Sequence, residues 1–350
     1  MKKYRTSILL FAIFEVIAVS LWLSTGNLFF LLNFSYIGIC LGVGGILMTA
    51  GWKHAREFVQ FTVGSYILVF LGLVCRENMQ MEGFWYYLLS GIVGAGVLHY
   101  LIAKIFGPLL FGRGWCGFAC WTAMILDLLP YKQPAKPRKS FGWVRYVMFA
   151  LSLAVVILLM CLGKADKTTM FYLFVAGNVL YYAVGIVLAV VLKDNRAFCK
   201  YICPITVFLK PMSYFSLLRI KCDEKKCIHC DKCLKVCPME VEVNNNSRKR
   251  KNATECILCQ QCKKACPVGA LKYFLPRISQ TDAEKRYALI CRFCVNVEVL
   301  NRIYSVILLN KVIHLSIHPA NGAGLLSIPP LYWRLSIEKR IRYRGLYFFV

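Results

Sequence analysis

An α-helical membrane bundle of about six transmembrane helices, followed by a small α+β unit dense in cysteine, is the fold the sequence predicts. Three observations lead to it. Apolar runs of roughly the twenty residues that a bilayer core requires recur from Ser7 to Leu192. Cysteines crowd between Cys227 and Cys266 at short, repeating intervals. Lys and Arg gather in alternate connections between the apolar runs, as they do in membrane proteins. Composition agrees, because a hydrophobic fraction of 58% and a mean hydropathy of +0.56 exceed those of an ordinary soluble domain.

The chain begins Met1-Lys2-Lys3-Tyr4-Arg5 and enters an apolar run from Ser7 to about Ser24. A signal peptide also has a basic start and an apolar centre, but no small-residue cleavage box follows, so an uncleaved first helix is expected. Further spans are expected at Leu28–Ala50, Phe58–Cys75, Phe84–Ile105, Trp143–Leu162 and Met170–Leu192. Basic residues orient them. With the N-terminus inside, the inner segments hold Lys2, Lys3, Arg5, Lys53, Arg56, Arg113, Lys132, Lys136, Arg138 and Lys139, against Arg76, Lys164 and Lys167 outside. Three regions follow: a helical membrane part over 1–205, a cysteine-rich domain over 206–276, and a basic tail over 277–350. The net charge of +26 then follows topology and anionic headgroups, and nucleic acid is not an expected partner.

Cys227, Cys230, Cys233 and Cys237 run C-x2-C-x2-C-x3-C before Pro238, and Cys256, Cys259, Cys262 and Cys266 repeat the spacing before Pro267. Three thiolates two residues apart wrap one cluster, while the fourth, carried past a turn by proline, reaches the other. This is the bacterial two-cluster ferredoxin spacing. The expected ligands are Cys227, Cys230, Cys233 and Cys266 for one [4Fe–4S] cluster, and Cys256, Cys259, Cys262 and Cys237 for the second. Structural zinc needs only four ligands per ion and gives no reason for a third cysteine and a proline, twice.

A second pattern lies at the membrane boundary. Gly112-Arg113-Gly114-Trp115-Cys116-Gly117-Phe118-Ala119-Cys120-Trp121 precedes the fifth span, and Cys199-Lys200-Tyr201-Ile202-Cys203-Pro204 follows the sixth. Each is C-x3-C, and four residues of helix put two thiols on one face. Cys116, Cys120, Cys199 and Cys203 therefore form a candidate second redox or metal site, for iron, another soft metal, or dithiol–disulfide chemistry. The plainer reading is packing cysteines at helix ends, and the matched location of the pairs weighs against it. Cys40, Cys75 and Cys161 lie in or beside apolar runs, and Cys291-x2-Cys294 lacks a partner pair and is read as incidental. A reducing compartment suits this usage.

His99 and Glu15 stand inside expected spans, where a polar group is costly. Either could accept the proton that a quinol head group releases on oxidation; a hydrogen bond to a neighbouring helix is the preferred reading. Membrane haem would need two facing histidines, and His99 is alone in the spans. Gly42, Gly44 and Gly45 sit in an apolar run and suit helix packing, not phosphate binding. In the tail, Ile303–Ile317 is broken by Lys311 and His314 and is too polar for a span.

Paired C-x3-C motifs around the last two helices, followed by the two-cluster module, resemble the membrane polyferredoxin family. That family includes the NapH subunit of periplasmic nitrate reduction systems, the iron–sulfur half of NosR, and CcoG-type oxidase assembly proteins. The resemblance covers Gly112 to Leu271. Members usually carry proline after both C-x3-C motifs; this chain keeps Pro204 and has Trp121 at the first. The resemblance implies a bacterial inner-membrane protein with its N-terminus and ferredoxin-like domain in the cytoplasm. It implies an electron-transfer component of an oxidoreductase system, not a stand-alone enzyme, passing electrons between the quinone pool or another membrane donor and a redox protein partner. Lys225, Lys226, Lys232, Lys235, Lys263 and Lys264 would steer an acidic partner. The rival is a redox sensor or metalloenzyme assembly factor, for example in metal reduction, working through the C-x3-C cysteines. A transporter with structural clusters would show interrupted helices and lining charges, of which the sequence shows little.

Overall fold

The computed structural model describes residues 4–92, 95–134 and 137–274, which belong to one compact unit. Lys2, Lys3, Lys136, Cys291, Cys294 and the expected tail lie outside the described residues. Helices α1 (Arg5–Thr25) and α2 (Leu28–Ala50) form a hairpin across Gly26, at φ +67°, and Asn27, whose side chain accepts the Phe29 amide at 2.9 Å. They pack closely because α2 presents small residues. A Cβ on Gly38 would lie 2.8 Å from that of Phe14. Ser35 Oγ donates to Glu15 Oε2 at 2.8 Å, the interhelical bond preferred for that carboxyl.

Helix α3 (Ala55–Ser65) continues into a π-helical stretch, Tyr66–Val74. Among the described residues five helices are long and apolar enough to cross a membrane: Ser7–Thr25, Leu28–Ala50, Ala55–Val74, Phe141–Cys161 and Lys167–Leu192. The expected span Phe84–Ile105 is not one helix. Helix α4 (Met81–Ser90) ends at Gly91, φ +68°, and the chain reverses into α5 (Ala95–Tyr100), a π-helical stretch Leu101–Phe106 and α6 (Gly107–Phe111). The shorter apolar helix Gly96–Phe111 results. Apolar content alone hid the break, because the run stays hydrophobic through a glycine that takes the left-handed C-cap conformation.

The segment before α4 is also buried, where an outer loop was expected. It folds back along a later helix, α10 (Lys167–Leu192), with Asn78 Nδ2 donating to Met170 O at 2.8 Å and a Cβ on Gly177 falling 2.4 Å from Gln80 Oε1. Phe84 then stacks on Tyr100 at 4.8 Å. Asn78, Met79 and Gln80 are all buried, so protein encloses this irregular backbone, as a membrane setting requires. The interrupted helix that the sequence did not show is therefore present.

Two short helices, α7 (Gly114–Phe118) and α8 (Trp121–Leu126), lead to α9 (Val144–Cys161) and α10 (Lys167–Leu192). Asp166 caps α10 by accepting the Thr169 amide at 3.1 Å. Then come α11 (Ala197–Tyr201), α12 (Thr206–Tyr214), β1 (Arg219–Cys222), α13 (Lys232–Lys235), α14 (Gln261–Ala265) and β2 (Leu271–Phe274). β1 and β2 pair antiparallel, Arg219 opposite Phe274 and Cys222 opposite Leu271, so the cysteine-rich stretch is closed at its two ends. Ile220, Met239, Val241, Ile257 and Leu271 share one core with Cys116, Cys199 and Leu209 from the membrane boundary.

Candidate metal centres

The two cysteine loops of the C-terminal unit are conformational copies. His229 and Asp231 have φ of 50° and 52°; their counterparts Leu258 and Gln260 have 56° and 65°. Glu240 and Gly269, each three residues after the fourth cysteine of its loop, match again at 52° and 60°. Left-handed residues other than glycine are uncommon, and their recurrence at equivalent places turns backbone amides inward, as loops that cradle clusters and anions do. Val241 N donates to Cys237 Sγ and Ala270 N to Cys266 Sγ, both at 3.3 Å. Hydrogen bonds to sulfur are one of the means by which a protein sets a cluster potential.

The eight cysteines divide between two cavities. Cys227, Cys230, Cys233 and Cys266 line one, with an empty volume of ≈ 350 Å³. Cys237, Cys256, Cys259 and Cys262 line the other, of ≈ 280 Å³. Among the described residues no three His, Cys, Asp or Glu side chains converge at the spacing of a single ion. Two sets of four cysteines, each lining its own cavity, fit two four-iron clusters with four thiolate ligands apiece. Burial pushes the Cys256 thiol up to about 12 and raises Cys237, Cys259 and Cys262, so ionising them calls for the positive charge of a metal.

Cys116, Cys120, Cys199 and Cys203 are also brought together. Cys203 lies within electrostatic reach of Cys116 and Cys120, and Cys199 within reach of all three. Burial foremost, with that mutual repulsion, pushes the Cys203 thiol up to about 11 and Cys199 higher. The pairs do not follow one helix face as expected. Cys116 is in α7 and Cys120 is the extended residue before α8; Cys199 is in α11 and Cys203 lies past its end. Pro204 explains the second break, since the residue before a proline avoids helical geometry. At the first, Trp121 opens α8 and anchors it on α10: its Nε1 donates to Asn178 Oδ1 at 2.8 Å and its carbonyl accepts from Tyr182 OH at 3.2 Å.

Three buried cations surround these thiols. Arg113 and Arg196 are each 1% exposed and Lys104 is 2% exposed. Lys104 Nζ stands 5.1 Å from the Trp115 ring centre and faces Cys116, Cys120 and Cys203. Arg196 Nη1 donates to Cys116 O at 3.0 Å, and Arg113 Nη2 to Thr206 Oγ1 at 3.3 Å. Sequence reasoning missed all three as parts of a site. Lys104 had a readable signal, a lone charge in an apolar run. The His99 ring packs 5.4 Å from that of Trp115, and its Nε2 has no hydrogen-bond partner among the described residues.

The loop that carries Cys116 lies directly against the chain that lines the second cavity. A Cβ on Gly117 would lie 2.3 Å from Ile257 O, and one on Gly114 3.4 Å from Leu258 Cδ1, so glycines let the Cys116 loop rest on the chain that follows Cys256. Glu255 clamps the same junction. It pairs with Arg113 at 3.3 Å, Arg138 at 2.9 Å, Arg145 at 3.1 Å and Lys210 at 3.7 Å. Burial pushes its carboxyl up, but Arg113 first, then Arg138 and Arg145, overrule burial and hold it at about 2. Lys200 completes the junction, bonded to Asp194 at 2.8 Å and to Glu240 at 2.7 Å. Replacing Gly117 by Ala is expected to force these segments apart at a cost of about 1–3 kcal/mol, seen as a lower thermal midpoint in detergent. An unchanged midpoint would contradict the close approach.

Comparison with known proteins fits this geometry. Residues 219–267 match the family described as "4Fe-4S dicluster domain", and residues 93–140 and 176–221 match "4Fe-4S binding domain". Each of the latter stretches contains one C-x3-C pair. The chain is 27% identical over 164 residues to the uncharacterized protein MJ0749 of Methanocaldococcus jannaschii, an alignment covering 43% of this chain and 63% of that relative. It is 25% identical over 202 residues to the uncharacterized protein MJ0750 of the same organism, covering 53% and 79%. No solved structure matches. The protein thus carries 4Fe-4S-binding domains, and its described residues are mostly helical, with five apolar helices of membrane-spanning length among them.

Proposed function

We propose that this is a membrane-bound electron-transfer protein of the NapH, NosR and CcoG kind, in which three cysteine sets form one path. Cys227, Cys230, Cys233 and Cys266 hold one [4Fe–4S] cluster, and Cys237, Cys256, Cys259 and Cys262 a second. Cys116, Cys120, Cys199 and Cys203 hold a third iron–sulfur centre at the membrane edge. Gly96–Phe111 serves as a short fourth crossing, which makes six crossings and returns the cysteine-rich unit to the side of the N-terminus. Bound clusters supply one-electron chemistry, with potentials set by charge, hydrogen bonding and exposure. Lys104, Arg113 and Arg196 balance the thiolate charge, the apolar core excludes water, and the exposed lysines 225, 226, 232, 235, 263 and 264 guide an acidic redox partner.

One observation carries the reading: Cys116 and Cys199 of the boundary set share a continuous apolar core with Cys237 and Cys262 of the ferredoxin-type set. Such packing supports passage of electrons between a membrane donor, the quinone pool among them, and the clusters farther from it. The test is anaerobic reconstitution in liposomes with a reduced quinone. Appearance of reduced-cluster EPR signals, or loss of those signals when oxidised quinone meets the prereduced protein, supports the path; clusters indifferent to quinone and to every membrane reductant oppose it. The electrostatic proximity of the four boundary thiols also supports the rival reading, a sensor or assembly factor that reduces metal at this site. There, serine at Cys116 and Cys203 would abolish metal reduction while exchange with quinone persisted.

A further inference from the structure

Beside the second cavity lies another of ≈ 420 Å³, lined by Arg219, Arg248 and Arg250, by the hydroxyls of Ser213, Ser216 and Thr254, and by no carboxylate. Ser213 is 6% exposed and Arg250 is 7% exposed, and Ser213 Oγ and Arg250 Nε have no hydrogen-bond partner. Two of the arginines are held in place by backbone oxygens. Arg250 Nη1 donates to Asn245 O at 2.9 Å, and Arg248 Nη1 to Tyr214 O. A buried guanidinium N–H and a buried hydroxyl left unsatisfied are costly unless something occupies the cavity that they line. Three guanidinium groups with hydroxyls and no competing acid match a tetrahedral oxyanion, which takes several planar donors at once.

We infer that this cavity binds a phosphate-type oxyanion. Its wall includes Phe111, the last residue of the apolar helix Gly96–Phe111, so a phospholipid head group can reach it as well as free phosphate. Cys256 is in the same wall. On the ligand assignment proposed above, an anion there disfavours an added electron and lowers the midpoint potential of the cluster that Cys256 holds. Occupancy of the site would thus tune the electron path without touching a cysteine.

The experiment uses the full chain with its metal content intact, delipidated in detergent. Thermal unfolding is followed while inorganic phosphate replaces chloride at constant ionic strength, and separately in vesicles of phosphatidylcholine with or without phosphatidylglycerol. A saturable rise in midpoint with phosphate, with phosphatidylglycerol, or with both is expected; phosphate alone marks a soluble ligand and phosphatidylglycerol alone a lipid. Arg248→Gln is expected to weaken half-saturation by about tenfold, and the milder Ser213→Ala by less, with iron content unchanged. A wild-type protein that responds to neither probe, or both variants responding like wild type, would overturn the site. A redox titration followed by EPR, with and without phosphate, is expected to show a lower cluster potential with it; an unmoved potential beside a raised thermal midpoint would overturn the link to Cys256.

Discussion

Exchange of Cys116 and Cys203 for serine is expected to strip iron from the membrane-edge centre and leave the ferredoxin-type unit loaded. On the proposed assignment one ligand is lost from each C-x3-C pair, and the groups around the remaining thiols include Lys104, Arg113 and Arg196, none of which can ligate iron while charged. Iron should fall from above about eight atoms per chain to about eight, the content of two [4Fe–4S] clusters. The EPR signals of the reduced ferredoxin-type clusters should persist, since Cys227 to Cys266 line separate cavities. Reduction of those clusters by quinol in liposomes should slow by more than about tenfold, because one stage of the path is gone. Unchanged iron with unchanged quinol reduction would assign the boundary thiols to something other than this path.

Glu255→Gln is expected to have the largest effect on stability. The substitution keeps size and removes charge, leaving Arg113 and Arg145, each 1% exposed, without their common anion. Removing one partner of a buried ion pair costs about 3–5 kcal/mol, because the other charge stays buried. Arg138→Gln should cost less, since that side chain is 13% exposed and two other arginines remain on the carboxylate. Thermal unfolding in detergent, together with the rate of cluster loss, measures both. Equal and small effects from the two variants would mean that Glu255 does not hold the junction.

The grouping of the cysteines was legible where it depends on short sequence distances. A C-x2-C-x2-C-x3-C-P run constrains where its thiols can go whatever surrounds it, and the two cavities contain the two crossed cysteine sets that the spacing implies. The long apolar helices were legible for the same reason, since length and hydropathy are local. Gly91 was not, because an apolar run does not reveal where a glycine takes a left-handed cap. Nor did spacing alone reveal that α7 and α11 end between their cysteines. The cations around the boundary thiols were least legible. Arg113 and Arg138 read as markers of the inner loops, yet both reach Glu255 in the ferredoxin-type unit, and no sequence pattern connects positions so far apart. The repeated left-handed residues at His229, Asp231, Leu258 and Gln260 escaped because none of the four is glycine.

The most direct measurement is anaerobic iron and acid-labile sulfide per chain, combined with EPR of the dithionite-reduced protein before and after quinone is added in liposomes. More than about eight iron with matching sulfide, and cluster signals lost on adding quinone, is the expected result. Zinc in place of iron, or a full set of reduced clusters that quinone does not oxidise, would contradict a continuous electron path from the membrane edge into the ferredoxin-type unit.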